Sequence, residues 1–284
     1  MRLRGPLLAS ILVAGGGALA GEPPAFLAEW RAWQAQRVAA LKRPHGWLSL
    51  TGLHWLQPGR NRIPGLPGTF DLADGRVTLA AEPADGWRLR QGGQEGPVSA
   101  RRLADDQAEA PDRLLLGSRA VMVIARGGKV ALRVWDADSP VRQGFTGIET
   151  WGPDPRWRLT ARWEAYPQPR AVEVPSVIGV PSQELAPGRA WFVLDGHEYA
   201  LEPTQDGDEL FFVFKDRTAP RETYGGGRFL VAAAPRDGTV ILDFNRAYNP
   251  PCVFSSFATC PLPLPQNVLP VRIEAGEKKW QSGH

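Results

Sequence analysis

The first regular pattern in the chain is an apolar stripe with helical spacing. Residues 25–42 contain no glycine and no proline and follow Pro23-Pro24, which predicts a helix over Ala25–Lys42. The apolar stripe of this helix comprises Phe26, Trp30, Trp33 and Leu41. Such a stripe is typical of a helix surface that faces a core. Arg37 falls on the same stripe, and we expect it to pair with a buried carboxylate.

From about Gly68 onward, apolar and polar residues alternate between short turns. Four turns of the Gly-Gly or Asp-Gly type each predict a β-hairpin. These hairpins join Thr69–Leu72 to Val77–Ala80, Val121–Arg126 to Lys129–Trp135, Ala190–Leu194 to His197–Leu201, and Arg228–Ala234 to Thr239–Asn245. Further strands are predicted at Trp157–Ala165, Ala171–Val174 and Leu210–Phe214. We therefore expect a mainly β fold, an antiparallel hairpin-built sandwich or partly open barrel with one N-terminal helix.

The alternation within two hairpins also predicts which side chains share a face. Around Gly127-Gly128, one face is entirely apolar and comprises Val121, Val123, Ala125, Val130, Leu132 and Val134. Arg133 lies on the opposite face. Around Asp237-Gly238, the same reasoning places Arg228 on one face with Asp243 and Asn245. We expect these three side chains to converge beside the glycine loop 225–227.

The N-terminal residues have the three parts of a removable leader. Met1–Arg4 carries two positive charges, Leu7–Val13 is apolar apart from Ser10, and Ala18-Leu19-Ala20 has the small-x-small cleavage pattern. The apolar run is too short to anchor a protein in a bilayer. We therefore expect a Sec-type signal peptide over residues 1–20, cleaved after Ala20, and a periplasmic or secreted protein.

The remaining sequence divides into three predicted parts. We expect an N-terminal helix over residues 21–45, a front β subdomain over 46–152 and a C-terminal β subdomain over 153–284. The loop Thr150–Arg156, which holds two prolines and a glycine, marks the division weakly. The alternative is one continuous β domain. Beyond residue 20 no stretch of the sequence approaches transmembrane length, so no membrane span is predicted.

The charge balance changes the set of expected partners. Without Arg2 and Arg4, which belong to the leader, the chain carries 31 basic and 30 acidic residues. Such a balance argues against nucleic-acid binding driven by electrostatics. The sequence therefore favours a small polar or anionic ligand as the partner and leaves the oligomeric state open.

Several common catalytic signatures are absent from the sequence. There is no GxSxG, HExxH, CxxC or GxxxxGK[ST] motif. His45, His54 and His197 are too scattered to predict a metal site. The run Asp206–Glu209 resembles a fragment of a calcium loop, but a polar hairpin turn explains it more simply. The sequence thus assigns no metal, cofactor or catalytic residue.

The only two cysteines, Cys252 and Cys260, lie in a proline-rich loop. In an oxidising compartment an isolated pair predicts a disulfide first. A thiol nucleophile, or half of a metal site, is the alternative interpretation.

Polar residues concentrate in the last third of the chain, around Asp216, Thr223–Arg228 and Asp243–Cys252. The predicted ligand-binding residues are Arg133, Arg142, Asp216, Tyr224, Arg228, Asp243, Asn245, Tyr248 and Asn249. Functionally, this set predicts an anion-holding or acid–base pocket next to exposed backbone amides of the glycine loop. The structural alternative is an Arg–Asp pair that ties a loop to the sheet.

Four sequence blocks resemble the domain-of-unknown-function family 1684. The blocks are Gly46–Leu50, the Arg126-Gly127-Gly128 turn with Arg133, Asp136, Arg142, Phe145 and Gly147, the run Thr223–Leu230, and Asp243–Cys252 with Cys260–Pro263, Asn267 and Ala275–Glu277. The resemblance extends over nearly the whole chain after the leader, although Arg60–Pro67 looks shortened. It implies that the blocks form one assembly, and it implies no activity.

These observations favour an extracytoplasmic β-rich protein that binds a small anionic or polar ligand. A hydrolase is the first alternative, with Asp216 or Asp243 as a general base or as a carboxylate that holds a metal. A purely structural protein, in which the polar blocks lock loops in place, is the second.

Overall fold

The computed structural model describes residues 24–281 and begins with helix α1, Pro24–Leu41. The predicted N-terminal helix is therefore confirmed to within one residue at each end. A one-turn helix, α2, follows much later at Pro140–Gln143. Among the described residues no helix is both long and apolar enough to cross a membrane. The predicted signal peptide and its cleavage point lie outside the described residues.

Residues 24–152 form ten strands in two antiparallel sheets. They are β1 Leu50–Trp55, β2 Gly59–Asn61, β3 Thr69–Ala73, β4 Arg76–Ala80, β5 Arg88–Gln91, β6 Gln94–Pro97, β7 Ala100–Leu103, β8 Arg113–Leu116, β9 Arg119–Arg126 and β10 Lys129–Asp136. Sheet A has the strand order β1-β10-β9-β8-β5-β6. Sheet B has the order β2-β3-β4-β7.

Residues 153–281 form seven strands in two further antiparallel sheets. They are β11 Arg158–Val174, β12 Ser182–Leu194, β13 His197–Leu201, β14 Thr204–Asp206, β15 Glu209–Phe214, β16 Arg228–Ala233 and β17 Thr239–Asp243. Sheet C has the order β13-β12-β11-β17, and sheet D has the order β14-β15-β16. The mainly β, sandwich-like fold built from antiparallel strands is therefore confirmed.

Three of the four predicted hairpins have the expected strands and turns. Asp74 and Asp195, each followed by glycine, adopt positive φ angles of 48° and 50°. Gly127 and Gly128 also have positive φ, as a tight two-residue turn of the primed type requires. Across the latter turn Lys129 pairs with Arg126, as expected. The run Asp206–Glu209 is likewise a hairpin turn, since Asp206 pairs with Glu209.

The hairpin predicted around Asp237-Gly238 is wrong beyond its turn. Asp237 has a φ of 49°, and Arg236 pairs with Thr239 across a tight turn. The flanking strands then diverge, however, because β16 pairs with β15 in sheet D while β17 pairs with β11 in sheet C. The predicted faces are also wrong, since the residues of β16 and β17 that share a core are Leu230, Ala232, Val240 and Leu242.

The sheets stack in the order B, A, D, C through three apolar cores. The first core lies between sheets B and A and includes Phe70, Trp87, Val123 and Leu132. The second joins sheet A to sheet D and includes Ala120, Trp135, Val213 and Phe229. The third lies between sheets D and C and includes Phe192, Phe212, Phe214 and Leu242. Sheets A and D are therefore covered on both faces.

Helix α1 packs against the C-terminal part of the chain. Nε of Arg37 donates a hydrogen bond of 2.9 Å to Oε1 of Glu277, whose side chain is 2% exposed. Nε1 of Trp30 donates to the carbonyl oxygen of Asn245 at 3.2 Å. The predicted pairing of Arg37 with a buried carboxylate is therefore confirmed.

Candidate functional site

Asp216 and Arg228 form an ion pair in which both side chains are 1% exposed. Nη2 of Arg228 lies 3.3 Å from Oδ1 of Asp216 and donates to the carbonyl oxygen of Ile273 at 2.9 Å. Nη1 of Arg228 donates to the carbonyl oxygen of Ala275. Oδ2 of Asp216 accepts a hydrogen bond of 2.7 Å from the backbone amide of Ile273. Together these contacts tie the C-terminal segment to sheet D.

Asp243 and Asn245 belong to a different set of contacts. Oδ1 of Asp243 accepts hydrogen bonds from the backbone and side-chain nitrogens of Asn245, at 3.2 and 3.0 Å. The amide group of Asn245 also exchanges two hydrogen bonds with the backbone of Asp154. The predicted convergence of Arg228 with Asp243 and Asn245 is therefore wrong, because β16 and β17 lie in different sheets.

Tyr248 and Asn249 lie where helix α1 meets the C-terminal segment. The guanidinium carbon of Arg37 lies 4.7 Å from the centroid of the Tyr248 ring. Burial raises the pKa of Tyr248 to about 12, while Arg37 opposes and Glu277 reinforces that shift. The backbone amide of Asn249 donates to Oε2 of Glu277 at 2.7 Å. Both residues thus connect parts of the fold.

Arg142 and Tyr224 are also held in contacts within the chain. Nε of Arg142 donates to the carbonyl oxygen of Lys42, and its Nη1 donates to that of Ala137, both at 2.9 Å. The ring of Tyr224 packs so closely on Gly226 that a side chain at position 226 would overlap it. Arg142 therefore connects α2 to the end of α1.

Cys252 and Cys260 are joined as a disulfide, with their Cα atoms 6.2 Å apart. The predicted pairing is therefore confirmed. The loop that the disulfide closes is fixed to sheet A, because Oγ of Ser255 donates to the carbonyl oxygen of Leu50 at 2.8 Å. This loop also carries Thr259, which reaches the cavity described next.

A cavity of about 510 Å³ lies between sheets A and D, next to the disulfide loop. Its lining includes Trp47, Arg126, Gly127, Arg133, Val180, Glu202, Phe211, Val213, Phe229, Thr259, Cys260 and Leu264. Of the nine predicted ligand-binding residues, only Arg133 lines this cavity. We call it the Arg133 cavity.

Arg133 is a buried cation in the wall of this cavity. It is 7% exposed, and its guanidinium carbon lies 5.4 Å from the ring centroid of Trp47 and 6.0 Å from that of Trp135. Nη2 donates a hydrogen bond of 3.1 Å to Oγ1 of Thr259, whereas the buried Nε has no acceptor among residues 24–281. Burial, reinforced by Arg126, lowers the pKa of Arg133 to about 10, so its side chain is cationic at neutral pH.

Two other charged groups that line the cavity, Arg126 and Glu202, are paired with opposite charges. Nη2 of Arg126 lies 2.6 Å from Oδ2 of Asp106. The carboxylate of Glu202, which is fully buried, accepts hydrogen bonds from the hydroxyl of Tyr166 and from Arg170 and Gln266. Within the described part of the chain, Arg133 is therefore the one cation lining the cavity that lacks a carboxylate partner.

The connection between β11 and β12, residues 175–181, closes one side of the cavity. The backbone amide of Val177 donates to the carbonyl oxygen of Cys260 at 3.0 Å, and that of Leu262 donates to Pro175 at 2.7 Å. Val180 packs against the β9–β10 turn so closely that a side chain at Gly127 would overlap it. This connection therefore bridges the disulfide loop and the tip of the Gly127-Gly128 hairpin.

The remaining sequence candidates lie elsewhere. Among residues 24–281 no three His, Cys, Asp or Glu side chains are grouped so that they could hold a metal ion. Neither Asp216 nor Asp243 lines the Arg133 cavity. The oxygens of both carboxylates are already engaged by groups of the chain itself.

Sequence reasoning missed most of the residues that surround Arg133. Trp47, Glu202 and Thr259 lie far from Arg133 along the chain, and no local motif connects them. One signal was present, because the face of the β9–β10 hairpin that carries Arg133 also carries Met122, Ile124 and Trp135. Large apolar residues on both faces of a hairpin indicate that both faces are covered, which places an arginine on either face inside the molecule.

Comparison with known proteins finds a family model and a solved structure to which this chain is similar. The family model described as "Protein of unknown function (DUF1684)" matches residues 143–278, which include the predicted blocks from Thr223 onward but not Gly46–Leu50 or Arg126–Asp136. The solution NMR structure of an uncharacterized protein of Haloarcula marismortui is 30% identical over 48% of this chain and 78% of that chain, with a TM-score of 0.41. Among curated proteins no match was found.

Proposed function

The chain belongs to the DUF1684 family of proteins of unknown function, and from that premise we propose that it binds a small anionic ligand in the Arg133 cavity, outside the cytoplasm. The single observation that carries the proposal is the environment of Arg133. A guanidinium that is 7% exposed lines the cavity and has no carboxylate partner among the described residues.

Burial of the Arg133 guanidinium without a carboxylate partner destabilises the ligand-free protein. Removing an ion from water costs several kcal/mol unless an opposite charge and hydrogen bonds compensate for it. The stacked rings of Trp47 and Trp135 offset part of this cost by cation–π attraction, worth roughly 1–2 kcal/mol each. An anion in the cavity would offset the rest, so the folded protein gains by binding one.

The groups around the guanidinium suit an anion. Arginine presents a planar fork of donors that matches the two oxygens of a carboxylate or the oxygens of a phosphate. Oγ1 of Thr259 accepts a hydrogen bond from Arg133, which leaves the hydroxyl hydrogen of Thr259 available to the same anion. The cavity volume of about 510 Å³ is in the usual range for small-molecule sites.

Two observations support a location outside the cytoplasm. The first 20 residues have the pattern of a signal peptide. The disulfide between Cys252 and Cys260 is of a kind that persists in oxidising compartments. Protein recovered from the periplasm or the medium should have the intact mass of a chain that begins at Gly21, and a chain there that retains residues 1–20 would contradict this location.

Thermal-shift titration of the full-length chain, purified without reductant, tests the ligand. We expect small carboxylates to raise the melting temperature of the wild type and to have no effect on Arg133→Gln. The matched control is Arg113→Gln, because the guanidinium of Arg113 lies 5.0 Å from the Trp135 ring centroid but does not line the cavity. Equal responses of the two variants, or no response of the wild type to any anion, would overturn the proposal.

A further inference from the structure

The wall of the Arg133 cavity beside the guanidinium is apolar and partly aromatic. Phe211 and Val213 of β15 and Phe229 of β16 line it, with the rings of Phe211 and Phe229 in an edge contact at 4.8 Å. Val213 and Phe229 are 7% and 6% exposed and share one core with Trp47 and Trp135, the rings that flank Arg133. A ligand that reaches the cation therefore contacts apolar side chains at the same time.

The charges of the lining limit the charge of the ligand. Arg133 is the one lining cation of the described chain without a carboxylate partner, since Arg126 pairs with Asp106. Glu184 and Asp206 add negative charge to the lining, while Glu202 is held by Arg170. Arg133 can compensate one negative charge, and a second one would remain uncompensated in a partly desolvated site. The lining therefore disfavours dianions such as phosphate.

From the apolar wall and the single uncompensated cation, we infer that the ligand is a monocarboxylate with an apolar body. Its carboxylate binds Arg133 and Thr259, and its aromatic or short aliphatic body packs on Phe211, Val213 and Phe229. This inference rests on the proposed function and narrows the class of anion that the cavity takes.

Isothermal titration of the oxidised full-length chain at neutral pH tests the class directly. The probes are benzoate, 3-phenylpropanoate, acetate, inorganic phosphate and benzamide. We expect the two aromatic carboxylates to bind about tenfold or more tightly than acetate, because their rings bury apolar surface that acetate lacks. Phosphate should bind more weakly than benzoate, and benzamide, which has no charge, should not bind measurably.

Two pairs of variants separate the charged end of the site from the apolar wall. Arg133→Gln should abolish the binding of every carboxylate, whereas Arg113→Gln should not change it. Val213→Thr adds a hydroxyl to the apolar wall at nearly constant shape and should weaken benzoate several-fold while leaving acetate unchanged. Its control is Val240→Thr, since Val240 is 3% exposed but packs in the core between sheets C and D.

Failure of the inference and failure of the proposed function give different results. If acetate or phosphate binds as tightly as benzoate and Arg133→Gln abolishes binding, the site takes anions but the inferred ligand class is wrong. The same holds if Val213→Thr weakens acetate and benzoate equally. If no probe binds the wild type, or if Arg133→Gln binds benzoate as the wild type does, the proposed function fails and the inference fails with it.

Discussion

Arg133 and Arg228 are both buried, but the charged groups around them differ. Arg228 has Asp216 and two backbone carbonyl oxygens as acceptors. Arg133 has one neutral acceptor, Thr259. Arg126 lowers the pKa of Arg133 further, and Asp106 raises it more weakly. Burial lowers the pKa of both guanidinium groups, but Asp216 opposes the shift at Arg228. The two arginines therefore provide a matched comparison of a cation that is paired within the fold and a cation that we propose binds a ligand.

We predict that replacing each of these arginines with methionine changes stability in opposite ways. Arg133→Met removes a buried charge that has no partner, so its free energy of unfolding should equal or exceed that of the wild type. Arg228→Met leaves Asp216 buried without its cation and should cost about 3–5 kcal/mol. Urea unfolding at neutral pH without added anion measures both values. A loss in Arg133→Met as large as that in Arg228→Met would contradict the assigned roles.

Tyr248 predicts how the fold responds to alkaline pH. Burial raises its pKa from 10.0 to about 12, so above pH 10 the unfolded chain loses this proton more readily than the folded chain does. The stability that this group contributes is therefore fully present below pH 10 and is lost as the pH rises through 12, by about 2–3 kcal/mol. Plots of the free energy of unfolding against pH should run parallel for the wild type and Tyr248→Phe below pH 10 and diverge above it. Plots that stay parallel up to pH 12 would show that Tyr248 is not the source of the alkaline loss of stability.

At the scale of the elements, the sequence predicted all four turns but the strand partners of only three of the four hairpins. Asp-Gly and Gly-Gly pairs select tight turns through positive φ, and all four predicted turns exist. At Asp237-Gly238, however, the pairing depends on distant segments, since Asp243 lies opposite Arg158 and Arg228 opposite Phe214. Sequence alternation gives the two faces of a strand but not which strand lies next to it.

Local sequence patterns also could not predict which residues surround Arg133, because these residues come from distant parts of the chain. Arg133 was identified from the sequence, whereas its partner Thr259 is 126 residues away and its stacking partner Trp47 lies before β1. The polar concentration around Asp216 and Asp243 was real, but its members bind one another and the backbone. The concentration of polar residues along the sequence therefore identified contacts that hold the fold together. The cavity, in contrast, arises from the stacking of sheets A and D, which no local pattern predicts.

The β9–β10 turn contacts the 175–181 connection, and substitutions in this turn test whether that connection controls access to the Arg133 cavity. Gly127 and Gly128 have φ angles of 53° and 74°, so alanine at either position strains the backbone. A side chain at Gly127 would also overlap Val180, whereas at Gly128 it would have nothing within 4 Å. Gly127→Ala should therefore displace the 175–181 connection and weaken anion binding severalfold, while Gly128→Ala should cost stability alone. Hydrogen exchange at the amide of Val177 checks this, and equal protection in both variants would refute it.

At the scale of the whole molecule, the second core joins the two halves of the chain. Ala120 and Trp135 come from residues 46–152, and Val213 and Phe229 come from residues 153–284. Helix α1 in turn binds the C-terminal segment through Arg37. The predicted front and C-terminal subdomains therefore share an apolar core.

We predict that residues 24–281 unfold in one cooperative transition, because separating the halves would expose the second core and the wall of the Arg133 cavity to water. Scanning calorimetry should give a calorimetric enthalpy equal to the van't Hoff enthalpy. Phe229→Ala, in the second core, and Phe70→Ala, in the core between sheets A and B, should each move the whole transition to lower temperature by several degrees. If Phe70→Ala instead splits the transition and leaves one component at the wild-type temperature, the halves are independent domains. In that case the cavity lies at a domain interface, and anion binding should raise the melting temperature of both components together.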